Sequence, residues 1–269
     1  KNIIFKMEVS IIIPVYNSAL MLEELVRRIK TTMNNLNFIN NYELLLINDS
    51  SADDSWKTIV RLIQEFSFIK GINLSDNFGQ HSAIMAGLNN CNGKYIITID
   101  DDLQHPPEFF PDILEKLKSK DVCYTNYRNR KHTGWKKFVS NINNIVSSFI
   151  LGKPLEIYMS SYRGMTNKIK NNIIQFKKPD VYIDGLIINS TKNIGMITIE
   201  HHARKFGESN YNLRKLSILW SNMILNFSFL PFRTISIIGM LLKIIIKLIR
   251  KKNNKKQFEI LEIKKNDKN

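Results

Sequence analysis

The chain has 269 residues, 43% of them hydrophobic and 10% aromatic. That is enough to bury one α/β core plus a small appendage, and too apolar for a disordered chain. The formal net charge of +15 is unevenly placed, with 9 basic and 10 acidic groups in residues 1–100, 15 and 10 in residues 101–200, and 15 and 4 in residues 201–269.

Residues 8–15, EVSIIIPV, form a β-branched run of strand length, closed by Pro14 and the turn-forming Asn17. Helical spacing follows through Leu22, Leu25, Val26, Ile29 and Met33. Residues 42–48, YELLLIN, predict a second buried strand that ends at Asp49-Ser50-Ser51, and Trp56, Ile59, Val60 and Ile63 predict a second helix. A short strand is expected near 69–74, a helix from about Gln80 to Leu88, and a strand over 94–99 that runs straight into Asp100, Asp101 and Asp102. Strands alternating with helices predict a mostly parallel, Rossmann-like sheet flanked by helices on both faces. Such sheets bind ligands in the crevice beyond the carboxyl ends of their strands. Asn17, Asn48-Asp49 and the three aspartates all fall at those ends, so the organisation points at one site.

Beyond residue 127 the pattern loosens. An amphipathic stretch is expected at 135–151 and two short strands within 181–200. Leu213, Leu216, Leu219, Trp220, Met223, Ile224 and Phe227 share a helical face, and residues 235–249 are nearly all apolar, broken by Lys243 and Lys247. That run is short of the roughly 20 residues needed to cross a bilayer, so it predicts an interfacial or shallowly inserted helix, the alternative being a helix packed on the domain. Its cationic surroundings suit an anionic membrane surface, the alternative being a compositional bias towards Lys, Asn and Ile. The basic residues cluster beside this apolar run and no nucleic-acid module is recognised, which argues against nucleic acid. Cys91 and Cys123 form neither a disulfide framework nor a ligand pair and suit a reducing setting. Lys1 is not a start methionine, Met7 is the candidate start, and no secretory signal is read ahead of the first strand. The expected organisation is a catalytic domain over 7–210, amphipathic and short apolar helices over 211–250, and a solvated basic tail over 251–269.

Three consecutive aspartates at a strand end repel one another, and a divalent cation is a common compensation. The alternative is an acidic turn at a helix N-terminus. Oxygen-only ligands favour Mg²⁺ or Mn²⁺ over zinc. His201 and His202 lack a third ligand at suitable spacing, and His81 and His105 read as local site or cap residues.

The combination IIIPVYN, LINDSSADDS and LSDNFGQHSAIMAGLNNCNGKYIITIDDDLQHPPE resembles the catalytic domain of family 2 glycosyltransferases. Within that family it is most similar to enzymes that glycosylate a polyprenyl phosphate. EHHARKFGESNYNLRKL and SFLPFR carry the likeness on, so that it runs from about residue 8 to about 240. The resemblance implies a GT-A-type fold with a C-terminal membrane-interface helical tail. It also implies that Pro14, Tyr16 and Asn17 flank a nucleotide and that Asp49 contacts its base. A second aspartate is usual just before Asp49; this chain has Asn48, which leaves the base identity open.

By the same resemblance Asp100 and Asp102 are the outer residues of a metal-binding DxD motif assisted by Gln104. Asp101, on the donor side, sits in its variable middle. Alternate residues leaving a strand point the same way, which agrees. Arg128, Arg130 and Lys131 match a basic loop over an acceptor phosphate, and Arg163, Arg204, Ser209 and Arg214 match further acceptor-side positions. The implied reaction is inverting transfer from a nucleotide sugar, by default UDP-linked, to a polyprenyl phosphate at the cytoplasmic membrane face. A phosphate acceptor needs no strong base. Two readings stand beside it: transfer to a glycan hydroxyl with Asp184 as base, unless Asp184 is a structural turn acid, or a non-catalytic nucleotide-sugar-binding scaffold. Relatives of this kind carry two membrane helices where this chain has one short apolar stretch. Peripheral binding, a partner, or a homo-oligomer with packed helices would meet that shortfall.

Overall fold

The computed structural model describes residues 7–38, 41–127, 148, 154–179, 181–199 and 256–266. Strands and helices first alternate: β1 (Met7–Val15), α1 (Ala19–Asn35), β2 (Tyr42–Asn48), α2 (Ser55–Glu65), β3 (Ile69–Leu74), α3 (Gln80–Asn90) and β4 (Gly93–Thr98). A 3₁₀ turn, Pro107–Phe109, leads into α4 (Phe110–Leu117) and β5 (Val122–Tyr127). Then come β6 (Arg163–Thr166), α5 (Asn167–Ile173), α6 (Ile183–Ser190), β7 (Ile194–Ile199) and β8 (Ile260–Lys265).

Among the described residues these eight strands form one sheet in the order β7-β5-β6-β4-β1-β2-β3-β8. The block β4-β1-β2-β3 is parallel throughout. β6 runs antiparallel to both β4 and β5, β7 is parallel to β5, and β8 is antiparallel to β3.

β1 is central because almost nothing in it is polar. Val9, Ile11, Ile13 and Val15 pack into one core with α1, α2 and α4, whereas Ile12 joins the opposite core with α3, α5 and α6. Leu44 and Leu46 of β2 divide from Leu45 and Ile47 in the same way, as the two-residue period of a strand requires. A strand buried on both faces reads as a continuous apolar run. Each fully buried aliphatic side chain contributes about 1.5–3 kcal/mol. α3 lies so close to β1 that a Cβ on Gly87 would sit 2.5 Å from Ile12 Cγ2.

Two expectations are corrected. Residues 183–190 form a helix, not one of two short strands; only β7 is a strand in that region. Ile183, Leu186, Ile187 and Ile188 are all buried, and burial around the whole helix erases the 3.6-residue signature and leaves a strand-like apolar run. Residues 260–265, read as part of a solvated charged tail, instead pair with β3. The amide of Gln257 bonds the carbonyls of Phe176 and Lys178, and that of Asn266 bonds the carbonyl of Ile63. β8 therefore covers a sheet edge whose peptide groups would otherwise lack partners. The stretches expected at 135–151 and 211–250 lie outside the described residues, save residue 148. Among the described residues no helix is long and apolar enough to cross a membrane.

Candidate functional site

The carboxyl ends of β1, β2 and β4 open into loops that each contain a non-glycine residue in the left-handed region: Asn17 (φ 55), Ser50 (φ 54) and Leu103 (φ 60). Such conformations cost of order 1–3 kcal/mol and persist where surrounding contacts impose them. Here the contacts are side chains holding backbone. Asn17 Oδ1 accepts from the Ala52 amide at 2.8 Å, and the Asn17 amide donates to Ser51 Oγ at 3.0 Å. Ser55 Oγ accepts from the Ser18 amide at 2.9 Å. The β1 and β2 loops are thereby stitched together. Pro14 is buried in β1 beside Ile47, and Tyr16 is 43% exposed at the rim.

The three aspartates divide into separate roles. Asp100 Oδ1 accepts from Gln80 Nε2 at 2.7 Å, and Oδ2 accepts from Ser161 Oγ at 2.6 Å and contacts His105 Nε2 at 3.1 Å. Burial pushes its pKa up, but the His105 and Ser161 contacts and the charge of Arg163 outweigh this and hold it below the ordinary value. Asp101 accepts from the Tyr16 amide at 3.0 Å and from the Ser18 hydroxyl. Burial raises its pKa to about 6, against those two hydrogen bonds and with the charges of Asp100 and Asp102 adding to the rise. Asp102 is half-buried, and its Oδ1 accepts from the Gln104 amide at 3.1 Å.

The strand on which the alternation of Asp100 and Asp102 was expected ends at Thr98, so all three aspartates stand in the loop beyond it. Asp101, expected to matter less than Asp100 and Asp102, ties the β1 loop to the β4 loop. Gln104 meets Asp102 through its backbone amide.

Asp49 is 4% exposed, and its two oxygens accept from the Phe78 and Gly79 amides, both at 2.8 Å. Burial raises its pKa and the two amides temper the rise. Expected to contact a base, it here holds the β3–α3 loop. Asn48 donates to Asn73 Oδ1 at 2.7 Å.

Beneath the acids lies a buried ion pair. Arg163, in register with Thr98 of β4, faces Asp184 in the first turn of α6; their side chains are 1% and 12% exposed. Tyr124 Oη donates to the same Asp184 oxygen at 2.8 Å, and the Arg163 guanidinium lies 5.9 Å from the Tyr124 ring centroid. Arg163 was expected on the acceptor side and Asp184 as either a base or a structural turn acid; in the structure they neutralise each other inside the protein, where a lone charge is strongly unfavourable. His81 lies nearby, edge-on to Tyr182 at 5.3 Å, and its Nδ1 has no hydrogen-bond partner among the described residues.

The structure thus gathers Asn17, Asp49, Asp100, Asp101, Asp102 and Gln104 at one lip. Gln80, Ser161 and Ser18 join them although the sequence did not mark them as site residues. Only the position of Gln80 at a predicted helix start and of Ser161 beside Arg163 hinted at it. Arg128, Arg130, Lys131, Arg204, Ser209 and Arg214 lie outside the described residues. The all-oxygen donors of Asp100 and Asp102 fit a hard cation such as Mg²⁺ or Mn²⁺. Among the described residues no group of three or more His, Cys, Asp or Glu could hold an ion, so the lip offers part of a coordination shell.

Residues 10–186 match the family model for Glycosyl transferase family 2. The chain is 34% identical over 239 residues to undecaprenyl-phosphate 4-deoxy-4-formamido-L-arabinose transferase of Salmonella choleraesuis (strain SC-B67), over 88% of this chain and 72% of that one. In fold it is similar to glucosyl-3-phosphoglycerate synthase from Mycobacterium tuberculosis in complex with Mn²⁺, UDP-glucose and phosphoglyceric acid. That likeness has a TM-score of 0.60 and 14% identity, over 81% of this chain and 78% of that one. The complex of that enzyme with Mg²⁺ and UDP gives a TM-score of 0.57 and 16% identity, over 81% and 77% of the two chains. The mixed sheet with its helices is accordingly of the GT-A type. With the family match covering the strands and loops that carry Asp49 and the three aspartates, the chain belongs to glycosyl transferase family 2 and is a glycosyltransferase.

Proposed function

We propose that the protein transfers a sugar, with inversion, from a nucleotide sugar to a polyprenyl phosphate at the cytoplasmic face of a membrane. The observation that carries this reading is the acidic lip, where Asp100 and Asp102 stand beside loops fixed by Asp49 and Asp101. The 34% identity to an undecaprenyl-phosphate sugar transferase supports the acceptor. The UDP-glucose and Mn²⁺ in the similar solved structure support a UDP-linked donor and a divalent metal.

Asp100 and Asp102, with Gln104 beside them, would hold Mg²⁺ or Mn²⁺. The bound ion supplies positive charge that stabilises a leaving nucleoside diphosphate. The hydrogen bonds to Asp100 keep its carboxylate ionised and aimed. The Tyr16–Asp101 and Asn17–Ala52 contacts hold the rim on which the nucleotide rests, so that positioning and electrostatics supply most of the rate. The buried pairing of Asp184 with Arg163 favours a phosphate acceptor over a hydroxyl. The phosphate arrives already anionic and has no proton to lose, whereas Asp184 is engaged by two donors. Residues 201–269, with 15 basic and 4 acidic groups, would bring the enzyme to an anionic membrane surface.

The test is incubation of the full chain with labelled nucleotide sugars, Mn²⁺ and undecaprenyl phosphate. An acid-labile labelled lipid is the expected product. Product only with a glycan hydroxyl acceptor would overturn the assignment.

A further inference from the structure

We propose that Gln80 is a positioning residue: its side-chain amide aims Asp100 and couples the β3–α3 loop, which Asp49 holds, to the acidic lip. The inference rests on the proposed function for its catalytic meaning, but its geometry stands by itself.

Gln80 is exposed at the head of α3, so packing gives no reason for its side chain to lie in one place. Its Nε2 nevertheless donates to Asp100 Oδ1 at 2.7 Å. Ser161 and His105 engage the other oxygen from the protein side. With both oxygens engaged, the carboxylate has one orientation, and Gln80 supplies the restraint that comes from outside the β4–β6 layer.

The two residues before Gln80 are pinned as well. The Phe78 and Gly79 amides donate to the two oxygens of Asp49. Gly79 turns the chain from loop to helix at φ 87 and ψ 160, a left-handed conformation that favours glycine. Asp49 follows β2, Asp100 follows β4, and β1 lies between those strands. Phe78, Gly79 and Gln80 therefore form a three-residue strap across the lip of β1, fastened at each end by an acid of the site. A shift of the loop at Asp49 reaches Asp100 through two peptide units.

Gln80→Leu and Gln80→Met each remove the donor at nearly constant volume and without adding charge. Calorimetric titration of Mn²⁺ and UDP into each variant is expected to show about tenfold weaker binding, as for one hydrogen bond to a charged group. Donor KM should rise in parallel, with a smaller change in kcat and an unchanged melting temperature. Wild-type binding by either variant, or a lowered melting temperature that tracks the loss, would overturn the assignment. If the wild type itself binds no Mn²⁺–UDP, the functional reading fails and the contact is tested separately. The Gln80 side-chain amide resonance in a ¹⁵N-labelled sample should move in Asp100→Ala, and a stationary resonance would overturn the inference.

Discussion

Arg163 on β6 and Asp184 in the first turn of α6 neutralise each other beneath the acidic lip, with side chains 1% and 12% exposed, and Tyr124 donates to the same carboxylate oxygen. Removing one partner leaves the other charged, buried and uncompensated. Asp184→Ala is expected to destabilise the protein by about 3–5 kcal/mol, and Asp184→Asn by less because the amide oxygen still accepts. Urea unfolding measures this, and a loss below about 1 kcal/mol, the scale of an exposed pair, would show that the pairing contributes little.

His81 sets an acid limit on stability. Burial lowers its pKa from 6.5 to about 4; the charge of Arg163 acts in the same direction, and those of Asp184 and Asp100 oppose it. Between those two values the unfolded chain binds a proton that the folded chain does not. Stability therefore falls as pH drops through that window, by roughly 3 kcal/mol from this group. His81→Leu is expected to flatten the curve of unfolding free energy against pH between 6.5 and 4. Parallel curves for variant and wild type would count against the assignment.

Asp102→Ala is expected to lower turnover at least about 100-fold and to remove stimulation by added Mn²⁺ or Mg²⁺. Chelation of the wild type should imitate the variant and be reversed by Mn²⁺. Retained turnover in the variant, at saturating nucleotide sugar, would refute the role of Asp102.

Deleting residues 256–269 should lower the melting temperature and promote self-association, because it strips β8 from β3 and leaves bare peptide groups at the sheet edge. Each lost backbone hydrogen bond removes about 1 kcal/mol net. Light scattering and thermal unfolding decide it; an unchanged melting temperature would mean that β8 adds nothing to the fold.

The parallel half of the fold was legible because its strands are mostly apolar runs, those of β1, β2 and β4 stopped by Asn17, Asp49 and Asp100, and its helices mostly keep one apolar face. The acidic lip was legible for the same reason, since strand ends in such sheets converge. Contacts between distant residues were not legible: Gln80 and Ser161 reach Asp100 from 20 and 61 positions away. The role of Asp101 was hidden because β4 ends at Thr98 and its partners Tyr16 and Ser18 lie more than 80 positions away. α6 was misread because complete burial removes periodicity. β8 was misread because Glu262, Lys264 and Lys265 mask its strand pattern.

β7 and β8 form opposite margins of the sheet. The described chain departs after Ile199 on one flank and returns at Lys256 on the other, with a gap of roughly 35 Å to bridge at about 4.8 Å per strand. β8 thus returns the C-terminal end of the chain to the same sheet that carries β7, so the two margins flanking the acidic mouth are both fixed to one rigid body.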